Sequence, residues 1–345
     1  MADKITPPAL KTGDTIALVS PSTRLNETWP AVLNRSIAHL KSLGFQIKVI
    51  YSPLQGSFTD QIKQRVEELH SAFADPEVQA ILTTMGGNHA NELSRRLDYD
   101  LIRKNPKIFC GYSDTTNLHG ALYTQAGLRT FYGPAAITEF GDFPKPMEFT
   151  TNHFLKVLCD GKEPIGKIPR SIQWARELPS FTTTGDQAHE QPRTLVPTPA
   201  WKWLRPGKAE GRIWGGVLTS LLELAGTPYW PDMSGGILLI ESSFGNTIFD
   251  PVPTEKTRYQ LGDLANIGVF DQINGLIFGR INGQSEQLDA ELAEVLLGQT
   301  EDWSFPILTN VDVGHTAPNL TIPLGSLVRL DSEKDEWVIL EPSVA

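Results

Sequence analysis

The chain has 345 residues, a formal net charge of −10, 40% apolar residues and two cysteines. The length suggests two domains or one large one, and the apolar share allows a sizeable core. A mixed but acidic balance argues against nucleic acid as the main partner, because phosphate binding needs a basic face.

Cys110 and Cys159 form neither a Cys-x-x-Cys motif nor a disulfide framework, which fits a reducing compartment. Residues 1–11 lack an apolar core with basic flanks, and no stretch is apolar for long enough to span a bilayer. A cytoplasmic protein is the expectation.

Taken in order, residues 15–20 read as a short buried strand. A helix follows over 29–43, with Val32, Leu33, Ile37, Leu40 and Leu43 at helical spacing and Gly44 at its end. Strands are expected over 45–51, 78–84 and 107–111, and helices over 60–73 and 88–97. Strand alternating with helix is the pattern of a parallel sheet covered on both faces. A further strand ends at Phe131-Tyr132-Gly133-Pro134. Eight prolines then fall between Pro144 and Ala200. That composition reads as a junction with one short helix, 149–158, and a long irregular loop. The second half reads as a helix over 217–225 opened by Gly211–Gly216, strands over 236–241, 275–279 and 307–313, and helices over 257–267 and 289–297. A hairpin over 326–340 turns at Ser332-Glu333-Lys334. The expected division is an N-terminal α/β domain over 1–150, a junction and substrate loop over 151–210, and a smaller mixed α/β C-terminal domain over 211–345.

Ligands bind outside the carboxyl ends of parallel strands. Two such ends carry unusual residues. Met85-Gly86-Gly87-Asn88 is either a tight turn or a place where backbone approaches a substrate closely. Ile108-Phe109-Cys110-Gly111-Tyr112-Ser113-Asp114-Thr115 places a serine at a strand-to-helix turn, as in the Gly-x-Ser-x-Gly elbow, although Thr115 replaces the second glycine. Such a serine could equally cap a helix. A nucleophilic serine needs a base, and the base needs an orienting acid. Among seven histidines, His315 stands apart because it follows a strand and the turn at Gly314. Glu241 ends an apolar strand, where a carboxylate is costly unless paired; Asp312 is the weaker alternative. The N–H of Asp114 and the Gly86-Gly87 turn could form an oxyanion hole.

These segments, with Gly211-x-x-x-Gly215-Gly216, Ile240-Glu241, Val313-Gly314-His315 and the opening over 7–22, occur in the order seen in the LD-carboxypeptidase family, which includes the microcin C self-immunity peptidases. The chain resembles that family over nearly its whole length. The resemblance implies a serine peptidase with Ser113 as nucleophile, His315 as base, Glu241 as orienter and Gly87 and Asp114 as oxyanion donors. It implies no metal and no cofactor, a site between two domains, and a homodimer. One branch releases terminal D-alanine from cell-wall tetrapeptides. The other cuts an amide joining a peptide or aspartyl group to a modified nucleotide, with a loop tryptophan stacked on the base. Gly86, Asn88, Trp174, Trp201 and Trp203 are the expected substrate contacts, the tryptophans having core or interface packing as the alternative. The length of the 166–211 segment and its tryptophans favour a peptidyl-nucleotide substrate. A ligand-binding homologue without activity is the reading from another class. Val217 and the Ser242-Ser243 pair depart from the family pattern.

Overall fold

The computed structural model describes residues 4–24, 28–161, 163–176, 190–245 and 250–345. In the first half, β1 (Thr15–Val19), α1 (Pro30–Ser42), β2 (Gln46–Val49), α2 (Phe58–Ala74), β3 (Val78–Thr83), α3 (Ala90–Leu93), α4 (Tyr99–Lys104), β4 (Ile108–Gly111), α5 (Thr116–Ala121) and β5 (Thr130–Tyr132) alternate as the apolar periodicity requires. Then come α6 (Glu148–Cys159), β6 (Gly166–Lys167), β7 (Gln173–Ala175), β8 (Leu195–Pro197) and β9 (Lys202–Arg205). The second half holds β10 (Lys208–Val217), α7 (Leu218–Glu223), β11 (Ile237–Glu241), α8 (Thr254–Asn266), β12 (Gly275–Gly279), α9 (Glu286–Gln299), β13 (Ile307–Val311), β14 (Ile322–Leu324), β15 (Leu327–Asp331) and β16 (Glu336–Ile339).

The first sheet runs β14-β5-β4-β3-β1-β2. Its strands β5, β4, β3, β1 and β2 are mutually parallel, and β14 joins β5 antiparallel. Alternate side chains feed opposite faces. Ile16, Leu18, Ile108 and Cys110 enter one core cluster, while Ala17, Val19 and Phe109 enter the other. Both faces are therefore covered, as a parallel sheet demands. The second sheet runs β6-β16-β15-β10-β11-β12-β13-β9, with β10 to β13 parallel and antiparallel strands at both edges.

Several elements depart from the sequence reading. The helix expected over 88–97 is the short α3 followed by a 3-10 turn, Ser94–Arg96. The glycine-rich run at 211–216 is the second part of strand β10 rather than a helix opening. Glycine is a poor strand former, so propensity hides this strand. At Gly215 a Cβ would lie 1.7 Å from the Leu239 carbonyl oxygen, so backbone packing there admits no side chain. The proline-rich junction supplies β6 to β9, and its 177–189 portion lies outside the described residues. Sequence blocks do not map cleanly onto sheets: β14 from the C-terminal third completes the first sheet, and β6 and β9 edge the second. No helix among the described residues is long and apolar enough to cross a membrane.

Two histidines are locked into this frame. Beneath β4, His119 Nε2 donates to the Gly111 carbonyl at 2.9 Å; His153 Nδ1 accepts from the Thr321 N–H at 3.1 Å. Burial lowers their pKa values to about 4 and about 3. Both are neutral in the fold, whereas unfolded histidine titrates near about 6.5. Their contribution is complete above that pH. As pH falls below it, the unfolded chain binds protons that the folded chain excludes, and stability declines towards the folded values. Chemical denaturation at pH 7.5, 6.0 and 5.0 should show a falling midpoint, and a flat profile would contradict the burial of both rings.

Candidate active site

The strand ends of the two sheets meet. Gly111 closes β4, and Tyr112 leads into a 3-10 turn, Ser113–Thr115, that continues as α5. Ser113 has φ +66°, the left-handed conformation of a strained elbow. Thr115 Oγ1 donates to the Tyr112 carbonyl at 2.9 Å and Thr116 Oγ1 to the Ser113 carbonyl at 2.7 Å, which fixes the turn without the motif's second glycine.

From the second sheet, Glu241 ends β11 with no exposure, and His315 follows β13 with 3%. His315 Nε2 lies 2.9 Å from Ser113 Oγ, and His315 Nδ1 lies 2.8 Å from Glu241 Oε2. A carboxylate can only accept, so Nδ1 carries the proton and Nε2 is left to accept from the serine. The remaining Glu241 oxygen, Oε1, accepts from Tyr132 Oη at 2.6 Å. Tyr112 and Phe244 meet the imidazole edge-on, at centroid distances of 5.1 and 4.8 Å. Burial and the Glu241 carboxylate push the Tyr132 phenol well above its ordinary range, so it stays protonated. Tyr112 Oη in turn donates to Glu139 Oε1 at 2.9 Å, and burial raises the pKa of that carboxyl.

The opposite wall is the loop after β3. Asp114 Oδ2 accepts from the Ala90 N–H at 3.0 Å, tying this loop to the elbow. Burial raises the Asp114 pKa. At Gly86, a Cβ would sit 2.6 Å from Ser113 Cβ and 3.0 Å from its Oγ. Gly86→Ala should therefore displace the hydroxyl and lower kcat by about 100-fold, since a shift of about 1 Å costs that much. Steady-state kinetics beside a thermal melt check this; an unchanged kcat would show that the loop yields freely.

The resulting cleft, about 430 Å³, is lined by Gly87, Asn88, Ser113, Asp114, Val217, Thr219, Glu223, Ser243 and Lys256, among others. Ser113, Glu241 and His315 are thus brought together, and Gly86, Gly87, Asn88 and Asp114 stand around them. Asp312, the weaker candidate acid, is elsewhere: it is fully buried and ion-paired with Arg280. The tryptophans expected to touch substrate do not line the cleft. Trp174 is 2% exposed with the Arg280 guanidinium 5.1 Å from its ring centroid. Trp201 is 7% exposed between Arg170 and Trp337. Trp203 donates its indole N–H to Asp335 at 2.8 Å. Missed in the sequence were Tyr132, Lys256 and Glu223. Only Tyr132 carried a signal, as the residue ending a strand next to β4.

Two sheets that aim their strand ends at one cleft, holding a serine, a histidine and a glutamate in hydrogen-bonded series, define a hydrolase-like chain. The comparisons with known proteins narrow the class. The family model described as the LD-carboxypeptidase N-terminal domain matches residues 16–133, and that described as the C-terminal domain matches 210–330. The chain belongs to the LD-carboxypeptidase family. It is 32% identical over 347 residues to the microcin C7 self-immunity protein MccF of Escherichia coli, covering 96% of this chain and 94% of that protein. It is 30% identical over 338 residues to a Bacillus subtilis protein named "probable murein peptide carboxypeptidase", covering 96% and 93%. The solved structure of MccF in complex with glutamyl sulfamoyl guanosine superposes with a TM-score of 0.85 at 30% identity, covering 99% of each chain.

Proposed function

We propose that this chain is a serine hydrolase that cuts the amide between an aminoacyl or peptidyl group and a nucleotide-like leaving group. The observation that carries the reading is the unbroken series from Ser113 Oγ through His315 to Glu241, at 2.9 and 2.8 Å. His315 takes the serine proton as Oγ attacks the carbonyl carbon. Glu241 holds the imidazole in the tautomer this needs and stabilises the imidazolium. The N–H groups of Gly87 and Asp114 receive the oxyanion. Asp114 stands in the first turn of a 3-10 segment, where backbone N–H groups have no partner within the helix. His315 then protonates the leaving nitrogen, and a water activated by the same imidazole releases the acyl group from Ser113.

The substrate class rests on two supports. The MccF neighbour is described as a complex with an acidic aminoacyl sulfamoyl nucleoside. Lys256 brings a cation to the cleft wall, which suits an acidic acyl group. The murein relative supports the second reading, release of D-alanine from a cell-wall tetrapeptide. Incubating the protein with aspartyl sulfamoyl adenosine and with a muramyl tetrapeptide, with products followed by mass spectrometry, separates the two. The proposal expects aspartate and sulfamoyl adenosine. Release of D-alanine alone would favour the murein reading, and no product from either would favour a binding protein.

A further inference from the structure

We propose that Tyr132 is a positioning residue that clamps the Ser113 elbow to the Glu241 carboxylate, and that it removes the serine's own N–H from the oxyanion hole. The inference rests on the Ser113–His315–Glu241 reading above. Tyr132 ends β5, the parallel neighbour of β4, so its side chain lies beside the elbow. Its hydroxyl is shared between two partners. The Ser113 backbone N–H points at Tyr132 Oη at 3.1 Å, and Tyr132 Oη lies 2.6 Å from Glu241 Oε1.

Donor directions are forced. An N–H can only donate, so the phenol oxygen accepts from Ser113. A carboxylate can only accept, so the single phenol proton goes to Glu241. One atom of the first sheet is thereby bonded to the backbone of the elbow and to the acid of the second sheet.

Three consequences follow. The left-handed Ser113, φ +66°, is held by a bond to its own N–H. Both Glu241 oxygens are engaged, Oε1 by Tyr132 and Oε2 by His315 Nδ1, so the carboxylate cannot rotate away from the imidazole. The oxyanion must then be served by N–H groups other than that of Ser113, which leaves those of Gly87 and Asp114.

The test uses the full chain and a phosphonyl fluoride, which reacts with an activated serine hydroxyl by forming a P–O bond and expelling fluoride, the serine proton passing to His315. Labelling rates are read by intact mass for the wild type, Tyr132→Phe, Glu241→Ala and the pair. Phenylalanine keeps the ring that packs against Tyr112 at 6.3 Å and His119 at 5.9 Å. Tyr132→Phe should slow labelling by about 10- to 100-fold in the wild-type background. In the Glu241→Ala background it should slow it by less than about 3-fold, because residues that act through one another are not additive. Equal slowing in both backgrounds would mean that the hydroxyl acts independently of Glu241, and would overturn the clamp; so would no slowing at all. A wild type that takes no label on Ser113 would overturn the hydrolase reading itself and the clamp with it. A second measurement needs no variant. The Ser113 amide proton should exchange as slowly as those of β4, and exchange at the rate of an open loop would overturn the proposal.

Discussion

Ser113→Ala should lower amide hydrolysis by roughly 10⁴- to 10⁶-fold while leaving the melting temperature nearly unchanged. The hydroxyl is the only atom lost, and it stands in a half-buried turn whose other bonds, among them those made by Thr115, Thr116 and the Tyr132 hydroxyl, do not involve it. Catalysis loses the nucleophile, and His315 loses the proton it would take. A residual rate from the oxyanion donors and from substrate binding remains. Because the loss lies in the chemical step, kcat should fall and KM should stay close to its wild-type value. Steady-state kinetics on whichever of the two proposed substrates is cleaved decide the matter, and a drop of less than about tenfold would remove Ser113 from the nucleophile's role.

The second large effect is on stability. Arg280 and Asp312 form an ion pair in which neither side chain has any exposure. Asp312 also accepts from Ser171 Oγ at 2.6 Å and from the Ser171 N–H at 3.2 Å, while an Arg280 Nη donates to the Asn310 carbonyl at 2.9 Å. Removing one member leaves a charge buried without its partner, at a cost of about 3–5 kcal/mol. Asp312→Ala should therefore lower the denaturation midpoint strongly. Position 312 lies three residues before His315, and the Asp312 carbonyl accepts from the Leu320 N–H at 2.8 Å. Activity should fall with stability. Replacing both residues by apolar ones of similar volume should restore much of the loss, because the pair's desolvation cost disappears with it. Equilibrium unfolding of the single and double variants tests this; a single variant as stable as the wild type would contradict the burial.

What the chain betrayed in advance follows from which signals are local. The elements β1, α1, β3, β4, β11 and β12 were legible because apolar periodicity and bounding glycines are short-range. Ser113 and His315 were legible because a rigid strand ends just before each. Glu241 stood out because a carboxylate on an apolar strand needs a partner. Strand β10 was not legible, since its glycines reflect close approach of distant residues: the Gly235 carbonyl at Gly211, the Leu239 carbonyl at Gly215 and the Thr116 side chain at Gly216. Nor was the crossing of β14 into the first sheet, which depends on pairing between residues 190 apart, Ile322 and Tyr132. Tyr132 showed only as a strand end, and its role was hidden for the same reason: its two bonds reach a turn 19 residues back and a strand 109 residues ahead. The burial of Trp174 and Trp201 was not legible either, because composition reveals an aromatic ring but not what covers its face.

The central claim is that His315 activates the Ser113 hydroxyl. Intact-mass and peptide mapping after exposure to a phosphonyl fluoride test it without reference to any substrate. The account predicts a single adduct on Ser113 in the wild type, and one that forms at least about 100-fold more slowly in His315→Ala. An adduct on another residue, no adduct on Ser113, or the same rate without the imidazole would contradict it.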